Sequence, residues 1–591
     1  MPFQVSPGVN VSEIDLTTAI PSVSTSVGAF AGRFQWGPAM VSTLVTSEVD
    51  LVDQFYKPKD DGTAQDFFVA ANFLAYSSAL RLVRVIDEDN SAGAGAVNAQ
   101  ELASAGNADD KGTLIKNNDH WDGGTITTSN TFYARYPGSL GNELTVELCD
   151  HSGAGAGGGG FVDWAYRTSF DGPPATSDHA TKRGAANDEI HVAVIDSPTG
   201  HFSGTANAVL ERFPFLSKAT DAKNSSGDVI HWKTYINNQS QYIRIGDEDA
   251  KTNLTYGVAT SDGYAYGNTV NGILSVKLQG GRDGSYAAGE WTGGYDLFAD
   301  TDQEDISLLI AGGGGGGLGA DSTDRVTVIN HVIDLAATRK DCVAFYSPLQ
   351  DDTQGKSTDS ARLEAVKAFR ETDTNKNTSY AFMDSGYKYQ YDKYNDTYRW
   401  IPLNGDVAGL AARTDQARDA WFSPAGYNRG QIKNVVKLAY NPSKAHRDDL
   451  YSKQINPVVS FPGQGTLLFG DKTSQTRPSA FDRINVRRLF IVLEKAISTA
   501  AKFSLFEFND AFTRSQFRNM VEPFLRDVQG RRGITDFKVV CDETNNPGSV
   551  VDRNEFVGDI YVKPVRSINF IQLNFVAVST GVDFTEVVGK F

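Results

Sequence analysis

Apolar positions along this chain follow two periods, and the change from one to the other marks out its segments. GAFAGRF (28–34) and RLVRVI (81–86) read as strands, with a turn at Trp36-Gly37-Pro38. Between them DFFVAANFLAYSSAL (66–80) carries apolar residues at helical spacing. The mixture predicts an α/β beginning over 21–88. Residues 89–130 are polar and rich in Ala, Asn, Asp and Gly, which predicts a short surface insertion. From 131 to 300 the segments are short and alternating: FYARY, ELTVELC, EIHVAVI, YIRIG and ILSVKL, separated by Gly, Asn and Asp turns. That pattern predicts β-rich structure, with the glycines at 157–160 in a loop. Residues 21–88 plus 131–305 are assigned to an outer mixed, β-rich domain.

The period lengthens again from 306. ISLLI (306–310) is a short apolar strand followed by the glycine run 312–317. Val326, Ile329, Ile333 and Ala336 then mark a helix face, CVAFY (342–346) a second buried strand, and Leu363, Val366 and Phe369 another helix. Strand, helix and strand in this order predict parallel pairing with right-handed crossovers, so 306–475 is expected to be an α/β domain of Rossmann-like type. Val486, Leu489, Leu493 and Ile497 open a further helix, a second lies near 510–521, and Pro523 is expected to end it or start a new turn. With the strand DFKVVCD (536–542), these elements define a C-terminal α/β domain over 476–569. The predicted fold class is therefore α/β and β, in several domains.

The two ends differ from this interior. Residues 1–20 lack the apolar content of a core element, yet Val9 and Val11 share one side of an extended chain, with Ile14 beyond them. A frayed end and a strand that pairs elsewhere both fit. In INFIQLNFVAV (568–578), Ile571, Leu573 and Phe575 occupy one side, while Ile568, Phe570, Val576 and Val578 surround Gln572 and Asn574 on the other. A strand apolar on both faces belongs inside a covered sheet. VDFTEVV (582–588), with Val582 and Phe584, follows as a second strand-like piece. Were this tail to leave its own domain, twelve residues would reach roughly 40 Å. It could then complete a neighbour's sheet by main-chain hydrogen bonds. An ordinary last strand is the other reading.

Composition narrows the function. A chain of 591 residues is long enough for about three to five domains. Its net charge of −17 opposes phosphate backbones, so no nucleic-acid partner is expected, and copies repel one another at long range. Cys149, Cys342 and Cys541 are far apart and form no CxxC pair, which argues against a zinc site or a disulfide framework. The start MPFQVSPGVNVSEIDL has no basic and apolar signal pattern, and no apolar run approaches the ~20 residues of a membrane span.

Catalytic motifs are sparse. Six consecutive glycines satisfy GxGxxG trivially, and CVAFY runs into Ser347-Pro348-Leu349-Gln350 without the acidic residue that holds a ribose. GTLLFGDKT (465–473) resembles a phosphate loop, but Asp471 interrupts it with the wrong charge. Eight histidines form no HExxH, and no GxSxG is present. No catalytic residue, metal ligand or cofactor is assigned. Arg483, Arg487 and Arg488 cluster at a helix start, and Arg514 and Arg518 lie one turn apart. They read as a solvated face, as internal ion pairs, or as a contact for an acidic partner.

Ordered blocks across the chain resemble the tail sheath proteins of contractile-tailed bacteriophages of the T-even type. They include SPGVNVSEI (6–14), FQWGP (34–38), SEVDLVDQF (47–55), KYQYDKYND (388–396), VAGLAARTD (407–415), SPAGYNRGQI (423–432), INPV (455–458), FGDKT (469–473), FDRINVRRLF (481–490), NDAFTRSQFR (509–518), VVCDETNN (539–546), VDRNEFV (551–557) and RSINFIQLNFVA (566–577). The resemblance implies a structural, non-enzymatic subunit that stacks in hexameric rings into a helical sheath around an inner tube. It implies an inner domain built from the C-terminal third and both chain ends, with 1–20 and 570–591 as arms on neighbouring subunits. Tail tube, baseplate and tail terminator proteins are the implied partners, and contraction drives the tube through the host envelope. The implied location is the virion tail, after assembly in the host bacterial cytoplasm. A sheath of a phage-derived secretion or bacteriocin-like device is the alternative. The basic helices near 483–488 and 514–518 are candidates for tube contact. Only residues 87–133 separate RLVRVI from ARYPGSLGNELTVEL, where T-even relatives carry a much larger insertion, so their outermost domain is expected to be missing or reduced.

Overall fold

Strands that are apolar on both faces must be covered on both faces, and the chain meets that demand with one parallel sheet. The computed structural model describes residues 24–89, 93–101, 112–124, 126, 130–150, 160–184, 186–246, 273–313, 322–569 and 572. Val9, Val11, Ile14, Ile571, Leu573, Phe575, Val582 and Phe584 lie outside the described residues, as do 157–159 and 314–317 of the glycine runs. The chain divides into two units, Ser22–Ala420 with Pro424–Lys495, and Trp421–Ser423 with Ala496 onward.

The larger unit is built on a seven-stranded sheet. Its strands are β1 (Gly28–Gly32), β2 (Ser42–Val45), β3 (Leu80–Arg84), β4 (Leu308–Ile310), β5 (Val343–Tyr346), β6 (Ala381–Asp384) and β7 (Ile455–Asn456). Their order is β7-β6-β5-β4-β1-β3-β2. Only β2 is antiparallel to its neighbour. The two-residue repeat sends Phe30, Leu308, Ile310, Val343 and Phe345 to one face, where they meet helices α1 (Asp61–Leu74) and α4 (Asn404–Ala417). Ala29, Ala31, Leu309, Ala344 and Tyr346 face the other way, toward α2 (Ala288–Asp296) and α3 (Ser322–Arg339). Asp60 starts α1, where its carboxylate accepts the Thr63 amide at 2.8 Å. Helices α1 and α4 approach closely because α4 carries Gly405 and Gly409. A Cβ on Gly405 would stand 2.5 Å from the Val69 carbonyl oxygen, and one on Gly409 2.5 Å from the Tyr76 ring.

Segment 21–88, grouped by sequence with 131–305, therefore supplies β1, β2 and β3 to the sheet completed by 308–456. Its strands pair with elements far along the chain, and periodicity does not name a strand's partner.

The β-rich part of the same unit follows the alternating pattern. Ile273–Lys277, Leu144–Cys149, Glu189–Asp196 and Val209–Ser217 form an antiparallel sheet in that order. A second sheet joins Asn98–Gln100, Phe132–Pro137 and Ile243–Ile245. The expected surface insertion at 89–130 is thus partly structural. Asn98 is fully buried; its amide donates to the Ala134 carbonyl at 2.9 Å and its carbonyl accepts the Ile115 amide at 2.6 Å. A polar side chain here completes the hydrogen bonding of a strand whose residues look like loop. Trp36, from FQWGP, enters this core against Tyr136, Phe202 and Tyr242. Buried Arg84 holds the same turn, donating to the carbonyls of Phe34, Gly37 and Pro137 at 2.8–2.9 Å.

The smaller unit packs α6 (Ala511–Gly530) over a two-stranded antiparallel sheet, Ile534–Val540 with Asp559–Pro564. Phe517, Val521, Leu525 and Val528 form its buried stripe. Pro523 lies inside α6 rather than ending it. The Asn519 residue one turn earlier is exposed, so water can satisfy the carbonyl that proline leaves without a donor. Trp421 belongs to this unit, donating from Nε1 to the Arg531 carbonyl at 3.2 Å.

Two buried carboxyls make the larger unit sensitive to pH. Asp66 accepts the Arg33 amide at 2.9 Å, and burial pushes its carboxyl up to about 7. Asp384 accepts from Ser347 Oγ at 2.6 Å, and burial, with the nearby Asp406 carboxylate, pushes it up to about 8. A carboxyl raised on folding binds its proton more tightly in the folded state, so its stabilisation is lost as pH rises through the folded value. Thermal melting should therefore fall as pH rises from about 4, the ordinary carboxyl value, through about 7 to about 8, and should level off above that. Asp384→Asn should show a smaller fall; an identical fall would remove Asp384 from the explanation.

Candidate interaction surfaces

Arginine is always charged, so its surroundings decide whether it faces a partner or its own chain. Arg488 is buried in α5 (Ile484–Ala501) and is paired with buried Asp415 of α4. It also donates to the Ala411 and Thr25 carbonyls at 3.3 and 3.4 Å. Arg487 is buried between the Tyr380 and Phe481 rings, 4.2 and 4.0 Å from their centroids, and donates to Ser379 Oγ at 3.0 Å. Burial lowers its pKa. Arg514 is buried on α6 and bonds Asn509 through both the side-chain oxygen at 2.7 Å and the carbonyl at 3.2 Å. The guanidinium groups of Arg487, Arg488 and Arg514 are thus engaged by the chain's own groups. Arg483 is partly buried and reaches Asp471 at 3.2 Å. Arg518 is half-buried.

The FGDKT segment is a clasp. Its Asp471 takes Arg483 and the Tyr451 hydroxyl, and its Lys472 donates from Nζ to the Tyr451 carbonyl at 2.7 Å. The Lys472 amide donates to Asn456 Oδ1 at 2.8 Å, while Asn456 Nδ2 donates to the Lys472 and Met383 carbonyls at 2.8 and 2.9 Å. Thr473 donates to the Phe481 carbonyl at 2.8 Å. Thus INPV, FGDKT and FDRINVRRLF meet at the end of β7. An acid and a lysine directed at the chain's own groups do not form a phosphate cradle. The block KYQYDKYND meets VAGLAARTD in the same manner: Lys388 Nζ lies 2.9 Å from Asp406, both buried, and the Tyr76 hydroxyl joins at 3.2 Å.

In the smaller unit Asn546 holds VVCDETNN to VDRNEFV. Its Nδ2 donates to the Val557 carbonyl at 2.7 Å, and its Oδ1 accepts the Val557 amide at 2.8 Å. Among the described residues the strands Ile534–Val540 and Asp559–Pro564 pair only with each other. A strand with one such partner has a second edge at which main-chain pairing can occur.

Among the described residues no group of three or more His, Cys, Asp or Glu is arranged to hold a metal ion, and no helix is long and apolar enough to cross a membrane. The fold is that of a multidomain α/β and β chain whose distinctive sequence blocks lock onto one another in the interior. Three family models match it in order: the tail sheath protein Gp18 domain III N-terminal region at 25–85, the phage tail sheath central domain at 296–474, and the phage tail sheath C-terminal domain at 476–577. The first two contain all seven strands of the parallel sheet. The chain belongs to the phage tail sheath protein family.

The tail sheath protein of Vibrio phage KVP40 is 36% identical, with 99% of this chain and all of the relative covered. That of Enterobacteria phage T4 is also 36% identical, over 99% of each chain. The KVP40 alignment spans 701 positions against 591 residues here, so that relative carries residues without counterpart in this chain. The crystal structure of a sheath tail protein from Listeria innocua covers 93% of this chain and 97% of its own, at a TM-score of 0.51 and 10% identity, a likeness of fold.

Removing one member of a buried ion pair leaves the other charged and without a partner, at a cost of about 3–5 kcal/mol. Asp415→Ala should lower the stability of the larger unit by that amount in urea unfolding, whereas Arg518→Ala should stay within about 0.5 kcal/mol. Equal effects would contradict the assignment of Arg488 to the interior.

Proposed function

We propose that the chain is a structural, non-catalytic subunit of a contractile phage tail sheath. It polymerises as stacked hexameric rings in a helical tube around the inner tail tube, and contraction drives that tube through the host envelope. The observation that carries this reading is the 36% identity to phage tail sheath proteins over 99% of the chain. In this reading the subunit works in the virion tail after assembly in the host cytoplasm, against tail tube, baseplate and tail terminator proteins.

The parallel sheet serves as a Rossmann-like middle domain, and the smaller unit as an inner domain completed by both chain ends. The arms 1–20 and 570–591 leave their own subunit and pair with neighbours, Val9, Val11 and Ile14 from one end and Ile571, Leu573, Phe575, Val582 and Phe584 from the other. The Ile534–Val540 and Asp559–Pro564 strands, which among the described residues pair only with each other, suit such additions. Main-chain pairing then keeps subunits connected while domains repack as rigid bodies. Arg518, with Arg483 at the edge of its clasp, is the remaining candidate for contact with an acidic tube. The buried arginines hold the subunit's interior instead.

Deleting residues 570–591 tests the arm. The truncated chain should stay folded and soluble and should not pellet as polymer under conditions where the full chain does. Polymer formation at the full chain's concentration would remove the arm from the account.

A further inference from the structure

The segment between α5 and α6, with the first turn of α6, turns apolar side chains outward. Phe503, Leu505, Phe506, Phe508 and Phe512 are 71%, 62%, 105%, 84% and 70% exposed. All five fall within residues 503–512. Phe506 also has φ 69°, a conformation that bulky residues avoid. Full exposure and backbone strain thus coincide on one aromatic residue, a combination that marks functional segments.

The size of the patch limits what covers it. An aromatic side chain offers about 150–250 Å², so at these exposures the five residues present roughly 700 Å² of apolar surface. The largest patch on an ordinary monomer is about 300–600 Å². Each partner in a standard stable interface gives about 800 Å².

We infer that this aromatic loop docks onto a second copy of the chain and holds neighbouring subunits by apolar contact. The inference rests on the polymeric reading above. Copies that each carry −17 repel one another, so their association needs surface that burial rewards without charge pairing. The loop has that character: its charged residues over 502–512 are Lys502, Glu507 and Asp510, so it carries no excess of positive charge to seek an acidic tube or an anionic membrane. Its area is that of one side of a protein interface. The contact differs in kind from the arms. Side-chain packing releases and reforms as domains shift, whereas strand pairing persists.

The test is the double substitution Phe506→Ser with Phe508→Ser in the full chain, with Phe506→Gly as a second variant suited to the positive φ. Both replaced side chains face solvent, so circular dichroism and melting should match the parent. Sedimentation velocity is measured over rising protein concentration and rising ammonium sulfate, which strengthens apolar burial. The parent should self-associate with salt, and the double variant should need about tenfold or more protein for the same association. Phe506→Gly should shift association in the same direction by less. Unchanged association overturns the inference, as does a parent that stays monomeric throughout. Loss of binding to purified tail tube protein or to anionic vesicles, with self-association intact, also overturns it by assigning the loop another partner. A parent that associates through the loop but builds no tubes defeats the sheath reading and leaves the loop contact standing. Tubes built by the double variant at the parent's concentration do the reverse.

Discussion

Parallel pairing of residues 28–30 with 308–310 is the constraint around which the larger unit is organised. Two short strands from distant parts of the chain share backbone hydrogen bonds at the centre of a sheet buried on both faces. Everything between β3 and β4 must leave that sheet and come back. The cost of closing so long a loop grows only with the logarithm of its length, so a whole β-rich region fits inside it. That region is secured near its exit from the sheet, where Trp36 enters its core and Arg84 binds the Pro137 carbonyl. The family models respect the same division, matching 25–85 and 296–474 and leaving the β-rich part aside.

A sheath subunit must keep its interior while its outer contacts change. The buried pairs Lys388–Asp406 and Arg488–Asp415 serve that requirement. Each is weak as a source of net stability but costly to break, which favours one arrangement of the helices over near alternatives. Asn456 and Asn546 do similar work with neutral amides, each tying two chain segments by paired donor and acceptor bonds. In the proposed reading, connection between subunits falls to the chain ends and to exposed apolar surface, two kinds of contact with different reversibility.

Much of the sheet was legible in sequence. ISLLI and CVAFY are apolar throughout because both faces of β4 and β5 are covered, and the helical spacing of Val326, Ile329 and Ile333 marks the face of α3 that packs on them. What stayed hidden was partnership. The period of GAFAGRF names a strand but not its neighbour, which lies far along the chain at 308–310. Asn98 concealed a strand because its amide does the work that a ladder usually does. Charge patterns did not separate buried arginines from exposed ones, since Asp415, Ser379 and Tyr380 lie far from Arg487 and Arg488 in the chain. Asn509, by contrast, was near enough to Arg514 to be noticed. The family resemblance reached the function through blocks whose role in the structure is internal locking.

A sheath subunit forms polymers, and in the reading proposed above its copies assemble by their own contacts. Electron microscopy of the purified full-length protein, with no other tail component added and with salt raised to screen the −17 charge, tests it directly. Striated tubes with a regular axial repeat are the expected result. A field of separate particles at every salt and protein concentration would contradict it.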